Sequence, residues 1–495
     1  MKWAAVLLFL GCALIYLFLS PGAIAGMGYT GEDMRATNEL ISWIGDSHTS
    51  IDWPRNGVVP LFFDVPFIAM GRAHAQKELW EDRYLAIGPV LATALLLGVL
   101  FLWLLDLTSD PVWSFSLTMI AGFATMIWPY AYIGLETKQS LALLIAGYLA
   151  LGSQSIRTWF RTAIFVMSCA AAVSVKSTGL FLIPAVAYLA FEYFWRGREL
   201  VKLAGSLALI GAVFLLNSYS RSLFWAKIGG TQGFLDQWMV RDVSSFFDNL
   251  ISFFGSANKG LFVYAPVTVL GLLAIPLLPR SQRGLKWFTL LTLGGLAGGF
   301  SLLTDWSDET WGPRYLHSAI APLVLCLGLS RLRFRMRTTA ALTGLAAAGF
   351  CVAFLGAFFT YGSLQGAATL ADQDTLEAYQ GDVVWNHIRF NARLFGIWIK
   401  NRNRVAPGPS MWVPEHHWFY AVPAWATPWK PVDLAPFAHP QSISMREWTL
   451  PPGMPHSVPW YFCMLFLPSG IALLIYSFFL ATRNGGKGNA GPNVY

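Results

Sequence analysis

Glu32 and Asp33 stand side by side just beyond the first apolar run, within YTGEDMRATNELISWIGD (29–46). Adjacent carboxylates repel, which favours a proton on one of them and poises the pair as a general base. The pair equally suits the solvated start of a helix, where acids complement the dipole. A second charged stretch, DWSDETWGPRYLH (305–317), places Asp305, Asp308, Glu309 and Arg314 among Trp306, Trp311 and Tyr315 between two long apolar runs. The planar guanidinium of Arg314 matches carboxylate or phosphate, so it pairs with its acidic neighbours or holds an anion. Lys176 also lies between apolar runs. An ionisable group there is costly and marks a functional candidate, unless its long stem carries the ammonium to the interface. Glu136 and Lys138 read as a helix-start acid with a boundary lysine. His416-His417 lacks a second pair of ligands at metal-binding spacing and reads as a surface pair. No metal site or other cofactor is indicated, although a divalent ion is not excluded by any motif.

The elements that carry these residues are apolar. Apolar residues make up 55% of the 495 and charged residues 12%, too oily a balance for a soluble enzyme. Runs of membrane-spanning length fall near 3–20, 86–105, 112–131, 137–152, 161–175 and 178–194, then 203–219, 260–279, 287–303, 315–330, 338–360 and 459–480. These make about twelve transmembrane helices, the fifth short enough to be broken or tilted. The five cysteines all lie in apolar runs with no C-x-x-C spacing, which points to buried packing.

The net charge of +7 is topological and does not call for a nucleic-acid partner. Arg157 and Arg161, then Arg196, Arg198 and Lys202, then Arg280, Arg283 and Lys286, then Arg331, Arg333, Arg335 and Arg337 occupy alternate short loops, and Arg483 and Lys487 follow. The positive-inside rule puts these loops and both termini in the cytoplasm. Lys2, the first apolar run and Ala23-Ile24-Ala25 also resemble a signal peptide. The run is long enough to span, and an uncleaved first helix is the expectation.

Three segments are then left on the outer face: a first loop (21–85), a middle loop (220–258) and a long Trp- and Pro-rich loop (361–458) that is a functional element or a small cap. Met34, Leu40, Ile41 and Ile44 give the first loop an amphipathic helix lying along the membrane. The expected organisation is a transmembrane module over 1–360, the outer loop 361–458, and a last transmembrane helix with a cytoplasmic tail over 459–495.

Six pieces, in order, resemble the GT-C superfamily of membrane glycosyltransferases that use polyprenyl-phosphate-linked sugars, a group that includes the protein O-mannosyltransferases and aminoarabinose transferases. They are GEDMRA (31–36), GVVPLFFDVPFIAMGR (57–72), Trp128-Pro129-Tyr130 with Glu136, AVSVKSTGLFLIP (172–184), NKGLFVYAP (258–266) and WGPRYL (311–316). They are similar to the family's acidic pair and helix, its Gly-x-x-x-Pro stretch, and its WPY…E, LTKPT-LLLLP, GLF-Y-P and WGPRYL motifs. The acidic pair reads Glu-Asp where many members have Asp-Glu, which leaves the base open between the two. The late loop matches no motif of the family.

The resemblance implies an all-α, GT-C-like polytopic enzyme at the outer face of a membrane, expected to be a bacterial inner membrane facing the periplasm. It implies a polyprenyl-phosphate sugar donor, a protein, lipid or glycan acceptor, and inversion at the anomeric carbon. Asp33 or Glu32 would take the acceptor's proton. Arg314, followed by Lys176, Lys138, Lys259 and Arg35, would hold the departing phosphate, with Glu136, Asp305, Asp308, Trp311 and Tyr315 lining the site. Trp306 and Trp311 also suit ordinary interfacial anchors. A transporter or flippase is a rival reading, but it would show internal repeats and charges inside its spans, neither of which this sequence displays. A non-catalytic scaffold is another, and it requires the Glu32-Asp33 pair to lie far from Arg314.

Overall fold

A computed structural model of the chain describes residues 2–19, 57–63, 66–67, 79–131, 134–152, 159–195, 199–227, 242–257, 259–303, 311–330, 336–358 and 457–485, with five positions between 388 and 395. The described residues form helices and no β-strand. In chain order the helices are α1 (Lys2–Leu19), α2 (Leu79–Thr108), α3 (Pro111–Phe123), α4 (Ile127–Tyr130), α5 (Leu135–Gly147), α6 (Trp159–Ser174), α7 (Ile183–Trp195) and α8 (Leu200–Lys227). They continue with α9 (Val243–Gly255), α10 (Leu261–Tyr264), α11 (Thr268–Ala274), α12 (Arg283–Ser301), α13 (His317–Leu329), α14 (Met336–Phe358) and α15 (Ser457–Gly485). Short 3-10 turns cover Val59–Phe63, Ser177–Leu182 and Arg314–Leu316.

Helices occupy every apolar run read from the sequence. Six segments are long and apolar enough to cross a membrane: Lys2–Leu19, Ile87–Thr108, Thr178–Trp195, Leu200–Leu223, Thr339–Ala357 and Leu465–Arg483. The chain is a polytopic integral membrane protein, and its described residues are helical.

Of the two alternatives for the fifth run, broken or tilted, the first does not hold. It contains neither Pro nor Gly, and α6 runs unbroken through Trp159–Ser174. The breaks fall where the backbone is special. One separates α3 from α4, one lies at Ala265-Pro266-Val267 between α10 and α11, and one lies at Val175-Lys176 ahead of the Ser177–Leu182 turn.

Position in the bundle follows from which faces are apolar. α5 and α13 are buried on nearly every side and form its centre. A central helix can carry polar side chains only if each is met internally. In α5 this holds: Thr137 donates to the Tyr130 carbonyl at 3.0 Å, Gln139 to the Ala172 carbonyl at 3.0 Å, and Ser140 to the Glu136 carbonyl at 2.7 Å. The outer helices α8, α14 and α15 instead leave large apolar side chains outward, such as Leu215, Leu216, Phe350 and Phe479, as lipid contact requires. Cys351 shares that outward face of α14 and is exposed, unlike buried Cys12, Cys169 and Cys326. The expected burial of all five cysteines therefore fails at a lipid-facing position; Cys463 has no described side-chain environment.

The two ends of the described chain pack together. A Cβ on Gly11 would meet the Gly470 carbonyl at 2.9 Å, so α1 and α15 cross with backbones close, and Ser477 donates to the Ala4 carbonyl at 2.7 Å. Asp110 starts α3 by accepting the Trp113 N–H at 3.0 Å, with Pro111 in the first turn where no N–H is needed.

Candidate active site

Three breaks in helical order deliver charge to one place. Gly134 adopts φ 84°, a left-handed turn that suits glycine and sets Glu136 in the first turn of α5. Lys176 has extended backbone between the end of α6 and the 3-10 turn. Gly312, at φ 57°, turns the chain ahead of Pro313 and Arg314. A Cβ there would also meet the Tyr264 ring at 2.7 Å.

These segments meet around Glu136, whose side chain is 4% exposed. Lys176 Nζ donates to Glu136 Oε1 at 2.5 Å, and Arg314 Nε lies 3.9 Å from the same oxygen. Both cations also sit over the Tyr315 ring, each 4.9 Å from its centroid. Arg314 Nη2 donates to the Tyr315 hydroxyl at 3.2 Å. Tyr315 is held from below by stacking on Phe300, with centroids 4.0 Å apart. Two positive charges thus converge on one buried carboxylate. Arg314, with 22% of its side chain exposed against 11% for Lys176, is the more accessible cation.

The turn that carries Arg314 is itself anchored. Tyr130 donates to the Trp311 carbonyl at 2.6 Å, and the Trp311 and Tyr264 rings pack edge to face at 5.1 Å. Trp311 is 7% exposed, so it packs inside the protein and is not an interfacial anchor. Below the turn, Ser140 Oγ lies 2.7 Å from His317 Nδ1 and 2.8 Å from Ser318 Oγ, tying the first turns of α5 and α13 together.

The first loop reaches this end of the bundle. Asn217 of α8 donates to the Ser174 carbonyl at 2.7 Å and accepts the Val59 N–H at 2.9 Å. Residues 57–63 are therefore pinned two positions from Lys176 in sequence.

Of the residues singled out in the sequence, Glu136, Lys176, Arg314 and Tyr315 converge, with Trp311 supporting them. Lys176 neither snorkels nor stands apart; its ammonium is inside, on Glu136. Lys138 is buried, but two residues along a helix is a rotation of about 200°, so it leaves α5 on the side away from Glu136. Lys259 is buried beside the Ser256 turn, where its N–H donates to Ser256 Oγ at 2.9 Å. Glu32, Asp33, Arg35, Asp305, Asp308, Trp306 and His416-His417 lie outside the described residues.

Among the described residues, no group of three or more His, Cys, Asp or Glu side chains is placed to hold a metal ion. Reading the sequence missed Ser140, Asn217, Ser318 and His317. His317 ends the charged stretch that drew notice, and a histidine opening an apolar helix was its one available signal.

No protein-family model and no curated protein matches the chain. Two solved structures of ArnT from Cupriavidus metallidurans are similar to it. The one bound to undecaprenyl phosphate has a TM-score of 0.48 at 13% identity, over 97% of this chain and 79% of that one. The apo state has a TM-score of 0.45 at 14% identity, over 96% and 75%.

Proposed function

We propose that this protein is a membrane glycosyltransferase that moves a sugar from a polyprenyl-phosphate donor to an acceptor at the outer, periplasmic face of the membrane. The observation that carries the reading is the convergence of Lys176 and Arg314 over one aromatic ring and one carboxylate. Two cations brought together in this way suit a phosphate. The sequence motifs that resemble the GT-C superfamily support it, because Glu136, Lys176 and Arg314 fall in three different motifs yet meet in space.

In this reading the chain has about twelve spans with both termini cytoplasmic, and the charged cluster faces outward. Residues 1–360 form the catalytic module and 361–458 an outer cap. The donor phosphate binds Arg314 with Lys176, and Arg35 of the first loop adds positive charge, whereas Lys138 and Lys259 take no part. The acceptor heteroatom attacks the anomeric carbon from the face opposite the phosphate. Its proton passes to Asp33 or Glu32, the anomeric carbon–oxygen bond breaks, and the polyprenyl phosphate leaves with the electron pair. One displacement inverts the anomeric centre. The leaving group is already a phosphate, so the cations stabilise departing charge and no acid is needed to protonate it. The anchoring of 57–63 on Asn217 supports a first loop that reaches the cations.

The test is transfer from a polyprenyl-phosphate sugar by the purified chain in nanodiscs. Asp33→Asn keeps the side-chain shape but cannot take a proton, and should lower kcat about 100- to 10,000-fold with donor affinity retained. Glu32→Gln should be milder. Full activity in both variants would remove the first-loop base and with it this mechanism.

A further inference from the structure

We infer that His317, held as its neutral Nδ1–H tautomer by Ser140, is a positioning residue that keeps Arg314 and Tyr315 in register with Glu136. The inference rests on the donor-phosphate reading above and adds a residue that contacts none of the reacting groups.

The argument is a proton count. Ser140 Oγ is within hydrogen-bond distance of three atoms: the Glu136 carbonyl at 2.7 Å, His317 Nδ1 at 2.7 Å and Ser318 Oγ at 2.8 Å. A serine hydroxyl has one proton and two acceptor sites. A carbonyl only accepts, so the Ser140 proton goes to Glu136. Both acceptor sites on Ser140 must then receive protons, one from the Ser318 hydroxyl and one from His317 Nδ1. His317 therefore carries its proton on Nδ1. Its Nε2 is buried with no hydrogen-bond partner among the described residues, so a second proton there would leave a buried charged donor unmet. The imidazole is neutral.

The consequence is geometric. All three members are at most 4% exposed, so water does not compete for these bonds. The bond to the Glu136 carbonyl fixes the turn that presents the Glu136 carboxylate. The bonds from His317 and Ser318 fix the first turn of α13, directly after Arg314 and Tyr315. The Tyr130 ring packs against His317 at 5.6 Å while its hydroxyl holds the Trp311 carbonyl, so the same unit also steadies the turn ahead of Arg314. Register between the carboxylate and Arg314 is thus set from behind by neutral hydrogen bonds that do not touch the charges.

An asparagine at 317 places an amide N–H near the position of Nδ1, whereas a glutamine reaches the position of Nε2. The experiment titrates a short-chain polyprenyl phosphate, without sugar, into the full chain in nanodiscs, with thermal melting measured alongside. His317→Asn is expected to bind within about threefold of the unaltered protein. His317→Gln is expected to bind about tenfold more weakly, the size of one hydrogen bond of about 1.4 kcal/mol, and Ser140→Ala, which also loses the bonds to Ser318 and the Glu136 carbonyl, at least as weakly. The double variant Ser140→Ala/His317→Gln should be no weaker than Ser140→Ala alone, because the bond lost in His317→Gln is already broken there. Near-normal binding by Ser140→Ala and His317→Gln would overturn the inference while leaving the donor site standing. Equal weakness of His317→Asn and His317→Gln would overturn it too, by assigning the role to Nε2 or to ring volume. An unaltered protein that fails to bind the lipid phosphate would sink the donor reading itself, and the inference with it.

Discussion

Lys176→Met and Arg314→Met should separate stability from donor affinity. Both cations face Glu136 Oε1, Lys176 at 2.5 Å and Arg314 at 3.9 Å. Coulomb attraction falls as the inverse of distance, so at one dielectric Arg314 supplies 2.5/3.9, about two-thirds, of what Lys176 supplies. Solvent lowers that share further, because Arg314 is twice as exposed as Lys176, 22% against 11%. Lys176→Met thus leaves a nearly buried carboxylate with only its weaker partner. Breaking such a pair costs about 3–5 kcal/mol. Arg314→Met leaves the closer pair intact and should cost about 1 kcal/mol.

Donor affinity should be ordered the other way. A charged hydrogen bond of about 1.5–3 kcal/mol, lost with Arg314, weakens phosphate binding by about 10- to 100-fold. Thermal melting in nanodiscs reads the first quantity and lipid-phosphate titration the second. The double variant Glu136→Gln/Lys176→Met removes both charges and should recover most of the melting temperature lost by Lys176→Met alone. If Lys176→Met melts like the unaltered protein, or the double variant melts no higher than the single one, Glu136 and Lys176 do not form the pair on which this reasoning depends.

Gly312→Ala should destabilise by about 1–3 kcal/mol and weaken lipid-phosphate binding, since φ 57° and a Cβ contact 2.7 Å from the Tyr264 ring both disfavour a side chain; melting and titration together check it. Asp242 caps α9 by accepting the Ser245 N–H at 2.7 Å, and that bond, with those from the Ser245 and Ser244 hydroxyls, holds its carboxyl below the usual range. A depressed folded value means the cap is intact above the ordinary carboxylate range and is lost as pH falls through the folded value. Amide exchange at 243–246 should therefore accelerate, relative to its intrinsic rate, only in strongly acidic buffer, and equal protection throughout would refute the cap. Single cysteines placed across 361–458 should react with a membrane-impermeant reagent added from the outer face. Labelling from the cytoplasmic side would reverse the topology and the proposed mechanism together.

Helix positions were legible because lipid imposes one rule everywhere: an apolar run of sufficient length must be helical to satisfy its own backbone. The break at Lys176 showed in the sequence as a charge between two runs, whereas the breaks at Pro266 and between α3 and α4 fall inside stretches read as single spans, 260–279 and 112–131. Partners were much harder to read. Arg314 has three acids within nine residues, so the sequence invited pairing with Asp305, Asp308 or Glu309. Its described ion pair is with Glu136, 178 residues away. Glu136 looked like an acid complementing a helix dipole because nothing local distinguishes that role from the counter-ion of a lysine 40 residues on. Trp311 looked like an interfacial anchor for the same reason: aromatic residues at a span end face lipid or protein according to packing that only the fold decides. Ser140 and Ser318 gave no signal at all, since serine in an apolar helix is commonplace and its bonds here span the bundle.

The position of the charged cluster at interruptions of helical order has its own physical reason. In an unbroken helix every backbone group is satisfied internally, and a charge must reach its partner across a rigid cylinder whose neighbours sit about 8–10 Å away. At the Gly134, Val175-Lys176 and Gly312-Pro313 breaks the backbone turns, so Glu136, Lys176 and Arg314 project along the bundle toward one point. Each break also frees N–H or C=O groups, and at membrane depth these are tolerated only where protein covers them or where they line a wet cavity. The buried surroundings of Gly134, Val175 and Gly312 cover the freed backbone. Three breaks at one end of one bundle therefore concentrate the charges that, in the proposed reading, an anionic headgroup needs. The apolar helices beneath supply what its lipid tail needs. Of the three charged groups, Arg314 keeps the largest share of its side chain accessible, which is where the proposed reading puts the phosphate.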